Sequence, residues 1–261
     1  MKKHTFAICA YKESKYLEDC IRSVKKQENT SEIILCTATP NKYISDLCEK
    51  YNIPMFVNNG EHGITQDWNF AYECAKTKYV TITHQDDVYY ENYSINAISR
   101  MEKSRHPLIY FTNYDELREG KRVKDNRLLK VKRLMLIPLK NPAHSKSIFL
   151  RRRVLSFGCP ICCPSVAFAK ENLPDKIFKS GFRSCEDWEA WEKLSKLKGD
   201  FLYDTEILVS HRIHEESETS LIIGDNARSK EEYTMYRKFW PKFIVNLLLR
   251  FYSTSQKSND L

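Results

Sequence analysis

The sequence predicts an α/β fold, a mostly parallel sheet flanked by helices, with a basic insert and further helices at the C-terminal end. Three observations point there. From His4 to Thr83 short apolar runs alternate with segments whose apolar residues recur at helical spacing. Asn, Gly and Pro punctuate several of the joins. The chain of 261 residues, 42% apolar and 12% aromatic, has a globular composition. A chain of this size can bury roughly three quarters of its unfolded surface.

His4 to Ala10 reads as the first strand, and Tyr16, Leu17, Cys20, Ile21 and Val24 form the stripe of the helix after it. Glu32 to Cys36 is the second strand. Thr39 followed by Pro40 has the form of an N-cap with proline at the first helical position, and Tyr43, Ile44, Leu47 and Cys48 supply that helix's apolar face. Ile53 to Val57 is a third strand, Asn58-Asn59-Gly60 a turn, Ile64 to Lys76 a third helix and Lys78 to Thr83 a fourth strand. Strands separated by helices become parallel neighbours, and ligands of such sheets bind beyond the carboxyl ends of the strands. The residues after strands one, two and four are therefore the first candidates for a site. Phe201 to His211 adds one or two later strands, and Pro241 to Tyr252 a short amphipathic helix. Residues 1–220 read as one domain and 221–261 as a helical extension with a frayed polar tail.

Composition narrows the chemistry. Seven glycines, at 60, 63, 120, 158, 181, 199 and 224, spell neither a dinucleotide fingerprint nor a P-loop, so any phosphate must be held by other groups. Most of the nine cysteines lie in apolar runs, as reduced thiols of a cytoplasmic chain do. Cys159, Cys162 and Cys163 lack a fourth ligand at zinc spacing. No apolar run approaches the ~18 residues of a spanning helix, and no signal segment opens the chain.

Three polar constellations remain. His84-Gln85-Asp86-Asp87 follows the fourth strand; an acid pair is common in hydrated turns, but at a sheet's carboxyl edge it is placed to bind a divalent cation that neutralises a diphosphate. Ser184 and Asp187 have capping-box spacing, and Trp188, Trp191, Leu194 and Leu197 have the spacing of a core stripe. His211 and His214 lie in a polar run and are candidate ligands, although an idle surface histidine is the common case.

In order and interval these motifs resemble the family 2 glycosyltransferases of the GT-A fold, a Rossmann-like sheet, over nearly all of residues 4 to 220. Ala10, Tyr11 and Glu13 stand in the strand-end run that embraces the nucleotide base. Thr37 stands where the family has the base-reading acid, a departure. Trp68 replaces the arginine of an Arg-Asn pair whose Asn69 is kept. Gln85-Asp86-Asp87 is similar to the end of the Asp-x-Asp motif, with His84 at the first acid. The resemblance implies Gln85 and Asp86 near the ribose or diphosphate, Asp87 and His214 as ligands of a divalent cation (Mn or Mg), and Asp187 as the base of an inverting transferase. The run from His211 to Thr219, with Cys163-Pro164-Ser165 upstream, is similar to a bacterial subgroup that builds polysaccharide. The implied partners are a nucleotide-sugar donor, a UDP-sugar by preference, and a glycan or lipid-linked acceptor.

The charge is unevenly spread. From Arg118 to Arg153 there are 13 Lys+Arg and two acids, a charge of +11, so the rest of the chain carries 8 − 11 = −3. Val123, Leu128, Leu129, Val131 and Leu134 lie among these charges, so part of the insert is an amphipathic helix. It reads equally as a solvated face over the acceptor side or as a surface for anionic lipid at the inner face of the plasma membrane. Two other functions compete: a nucleic-acid-binding protein using the insert, which leaves the acids without a joint role, and a metal-dependent nucleotidyltransferase using the same acids.

Overall fold

The computed structural model describes residues 2–27, 29–179, 181–214 and 226–257. The expected alternation opens it: β1 (His4–Ala10), α1 (Leu17–Lys25), β2 (Ser31–Thr37), α2 (Lys42–Lys50), β3 (Met55–Val57), α3 (Ile64–Cys74) and β4 (Tyr79–His84). β1 lies between β2 and β4 and is parallel to both, and β3 extends the sheet beyond β2. Alternation along each strand feeds two cores. Phe6, Ile8 and Ala10 join Leu17, Ile21 and Val24 on one face, while Ala7, Ile34 and Cys36 join Ala71 and Tyr72 on the other.

The later half is less regular. β5 (Val88–Tyr89), α4 (Tyr93–Lys103), β6 (Pro107–Arg118), β7 (Lys121–Val123), α5 (Arg127–Met135), α6 (Ile148–Leu155), β8 (Val166–Ala169), α7 (Glu186–Leu194) and β9 (Asp200–Ile213) follow in order. α8 (Asn226–Arg237) and α9 (Lys242–Lys257) complete the described chain. The sheet runs β3-β2-β1-β4-β8-β6-β9-β5, with β7 paired to β6. β8 is antiparallel to both β4 and β6, β9 is parallel to β6, and β5 is antiparallel to β9. The parallel character predicted from the first half thus gives way beyond β4.

Two predicted caps are replaced. α2 begins at Lys42, capped by Asn41, whose Oδ1 accepts the Ile44 N–H at 2.9 Å. Thr39 instead accepts the Lys12 N–H at 2.6 Å and so ties the loop after β2 to the loop after β1. α7 has Cys185 at its N-cap with no side-chain cap bond. Ser184 donates its hydroxyl to Glu231 of α8 at 2.8 Å, so the expected Ser184 capping box is absent.

One irregularity positions the site. Between β6 and β9 the register jumps from Thr112↔Asp204 to Asn113↔Ile207. Asn113 holds the bulged chain, donating to Thr205 O and accepting from Tyr203 Oη, both at 2.7 Å. Beyond it, β9 pairs with β5 at Val88↔Ser210, which brings His211 beside Asp87.

Candidate active site

The carboxyl edge of β1, β2 and β4 is tied together by its own loops. The Tyr11 N–H donates to Gln85 Oε1 at 2.9 Å, and Gln85 Nε2 returns a bond to Tyr11 O at 3.2 Å. Lys12, in the left-handed region at φ 53°, turns the chain outward. Buried Thr37, paired with Ala10 across the β1–β2 ladder, accepts the Thr39 N–H at 3.0 Å. Ala10, Tyr11, Thr37 and Gln85 therefore gather at one edge, and Glu13 is exposed on the turn that follows. Trp68 stacks on His84 with ring centroids 4.8 Å apart and planes 14° from parallel. Asn69 has a different attachment: it donates to Phe178 O at 2.8 Å and accepts the Ile177 and Phe178 N–H groups at 3.0 Å, stapling α3 to that segment.

The acid pair is held from β9. Asp87 is fully buried, and its Oδ1 meets His211 Nδ1 and the Arg212 N–H, each at 2.9 Å. Asp86 Oδ2 meets His214 Nε2 at 2.9 Å. His214, expected with Asp87, thus sits on Asp86, because the β5–β9 register gives Asp87 to His211. Arg212 reinforces the link, donating to Asp86 O at 2.8 Å and lying 4.3 Å from the Tyr16 ring centroid.

Electrostatics separates the groups. Burial opposes the charge on Asp87, but His211, His84 and the Arg212 N–H outweigh it and hold the carboxyl below its ordinary value. Burial also opposes a charged His211, yet Asp87 lifts its imidazole above the ordinary value. At His84 burial prevails over the acids, so its imidazole is pushed down and favours the neutral, ligating form.

His84, Asp86 and Asp87 each offer one ligand atom within 4.8 Å of the others. Buried Asp87 Oδ2 has no hydrogen-bond partner and lies 3.7 Å from His84 Nδ1. A neutral imidazole with two carboxylates, one oxygen of them orphaned, fits a divalent cation of the Mg or Mn kind.

Asp187 lies in the first turn of α7. Its Oδ1 accepts the Trp188 N–H at 2.6 Å, and Cys159 Sγ lies 3.4 Å from Oδ2. Burial raises its proton affinity, outweighing the opposing pull of the Trp188 N–H, Cys159, Lys132 and His84. The helix terminus favours the charged form, but desolvation outweighs it. Trp188 is core, donating its indole N–H to Leu155 O at 2.9 Å and meeting Tyr236 edge-on.

The insert contributes a residue that the sequence reading did not single out. Lys132 on α5 donates to Tyr114 Oη at 2.9 Å. Burial works against its charge, but Tyr114 and neighbouring thiols keep its proton affinity above the ordinary lysine value. Its spacing between buried Leu129 and Leu136, at i+3 and i+7, is the signal that marks an inward lysine. The arrangement sets beside the acid pair, through His84, a carboxylate whose proton affinity burial raises.

The chain is similar to several solved structures. A crystal structure of residues 1–349 of S. aureus TarS in complex with UDP-GlcNAc matches with TM-score 0.66 and 16% identity, over 95% of this chain and 70% of that one. A mannosyltransferase from Pyrobaculum calidifontis, PcManGT, in complex with GDP-Man and Mn2+, matches with TM-score 0.64 and 12% identity, over 90% and 63%. Against TarS 1–349 without a named ligand the TM-score is 0.58 at 14% identity, over 81% of this chain and 60%, less than two thirds, of that one. At these identities the likeness establishes the GT-A-like fold. No curated protein matches in sequence. The model of glycosyl transferase family 2 matches residues 5–177, which takes in β1 through β8 and the acid pair, and the chain accordingly belongs to that family.

Proposed function

We propose that the protein is an inverting glycosyltransferase that moves a sugar from a nucleotide-sugar, a UDP-sugar by preference, to a hydroxyl of a glycan or lipid-linked acceptor in bacterial surface polysaccharide synthesis. One observation carries the reading: Asp87, held charged by His211, and Asp187, whose proton affinity burial raises, both act electrostatically on His84 and have opposite properties. The likeness to proteins bound to UDP-GlcNAc and to GDP-Man supports a nucleotide-sugar donor.

The nucleoside lies against the loops that Tyr11, Thr37 and Gln85 tie together, with Glu13 at their rim. Trp68 fixes the plane of His84, and His211 and His214 fix Asp87 and Asp86 from behind. His84, Asp86 and Asp87 would hold a divalent cation, Mn or Mg, which when bound would neutralise charge on the leaving diphosphate, a contribution of roughly several kcal/mol. Asp187 accepts the acceptor hydroxyl's proton as that oxygen bonds to the anomeric carbon. The bond from that carbon to the diphosphate oxygen breaks on the opposite face, its electron pair leaves with the nucleoside diphosphate, and the configuration inverts.

A thermal-shift panel of UDP, GDP and their sugars, with and without manganese, tests the donor site. At about 100 times its dissociation constant a ligand adds roughly 2.7 kcal/mol, which for this size raises the midpoint by about 5–10 °C. A manganese-dependent rise with at least one nucleotide is expected; no such rise with any of them contradicts the proposal. Recovery of a transferred sugar with inverted configuration distinguishes the enzyme from a nucleotidyltransferase.

A further inference from the structure

Helix α5 has two apolar faces. Leu129 is buried, and Lys132 reaches Tyr114 from the same side. On the other side Leu128, Val131 and Leu134 are 39%, 47% and 64% exposed, in line at i, i+3 and i+6. Ile137 extends the stripe, and the turn it begins packs on both α5 and α6. From there the surface passes to Phe149, 68% exposed, whose ring lies 5.7 Å from the Arg153 guanidinium. Arg153 also covers Trp240 at 4.9 Å, and Trp240 leans on exposed Phe157 at 5.5 Å.

The cations are interleaved with these residues. Lys124, Arg127, Lys130, Lys140 and Lys146 are all exposed, within the stretch whose charge is +11. Alternating hydrocarbon and positive charge matches a surface that offers both an apolar layer and negative headgroups. A second copy of the chain would set these exposed cations against their own counterparts at contact distance, a like-charge repulsion that salt screens least there. A nucleic acid offers phosphates but no apolar layer for Val131 and Leu134.

We propose that this face docks the protein on an anionic lipid bilayer, with α5 lying in the interface and Lys132 on its inner side against Tyr114. The acceptor side of the site then opens at the lipid surface. The docking does not depend on the donor assignment, so vesicle binding and nucleotide binding can fail separately.

Flotation of the full chain with vesicles of phosphatidylcholine, alone or mixed with phosphatidylglycerol, tests this. The protein is expected to float with the mixed vesicles and not with the neutral ones. Lys124→Glu with Lys130→Glu should lower partitioning by about fivefold or more per position. Val131→Ser with Leu134→Ser should lower it roughly tenfold, from the apolar area withdrawn from the interface. Unchanged thermal midpoints verify that the variants fold. Equal flotation with neutral vesicles, absence of flotation, or indifference to the Val131→Ser, Leu134→Ser pair overturns the proposal. So does a dimer in sedimentation that this pair abolishes, or RNA binding that it leaves intact while vesicles are ignored.

Discussion

Residues 4–87 and residues 107–214 deliver polar side chains to the same end of the sheet by different means. In the first half Tyr11 and Gln85 follow strands of one parallel set and Ala10 and Thr37 end strands of it, so each is placed by its own strand. In the second half placement depends on ladder register: a bulge pinned by Asn113 and an antiparallel pairing at Val88↔Ser210 bring His211 and His214 to acids more than a hundred residues away. The first half supplies the floor of the site and its acid pair. The second orients that pair and adds Asp187 and Lys132.

The division can be broken most severely at Asp187. Asp187→Asn should lower transfer by roughly 10²–10⁴-fold while nucleotide affinity stays unchanged, measured by sugar incorporation alongside a binding titration. Because burial raises this carboxyl's proton affinity, wild-type activity should fall as pH drops through a value above the ordinary carboxylate range. The next largest effect is on folding in the later half. Arg151, fully buried, donates to the carbonyls of Ser195, Leu197 and Gly199 where α7 ends, and its guanidinium lies 4.8 Å from the Phe201 ring centroid. Arg151→Met should cost about 3–5 kcal/mol in chemical denaturation, because three acceptors lose their donor together.

The earlier half should respond to acid instead. His4 is buried between Ser31 Oγ at 2.8 Å and Thr81 Oγ1 at 2.9 Å, and burial lowers its pKa from 6.5 to about 3. The unfolded chain takes up this proton near pH 6.5 and the folded chain does so only near pH 3, so stability falls as pH drops across that window. The loss attributable to His4 is on the order of 4 kcal/mol, and the difference in pH dependence between wild type and His4→Gln measures it. The smallest effect concerns the seam. Asn69→Ala should cost about 1–3 kcal/mol of stability, from the unsatisfied backbone groups at 177–178. A loss of nucleotide affinity without loss of stability would restore Asn69 to the donor site.

The same contrast explains what was legible in the sequence. Periodicity and turn chemistry are local, and they located β1 to β4 and their helices to within a few residues. The acids at 86–87 and 187 stood out because two carboxylates at a strand end, or in a helix's first turn, carry local meaning. The pairing of His211 with Asp87 and of His214 with Asp86 did not, because it depends on ladder register beyond a shift at Asn113, whose partners Tyr203 and Thr205 are distant in sequence. The Thr39 and Ser184 caps failed for a related reason: both hydroxyls face partners from other segments, Thr39 accepting the Lys12 N–H and Ser184 donating to Glu231. Residues 215–219 of the polar run and the proposed domain boundary at 220 lie outside the described residues.

In the proposed mechanism cation and donor share His84, Asp86 and Asp87 while Asp187 serves the acceptor. Titration of UDP into the protein, with and without manganese, for wild type, Asp87→Asn and Asp187→Asn separates these roles. Manganese-dependent binding that Asp87→Asn abolishes and Asp187→Asn leaves intact is expected. Binding that ignores manganese, survives in Asp87→Asn, or is lost equally in both variants would contradict it.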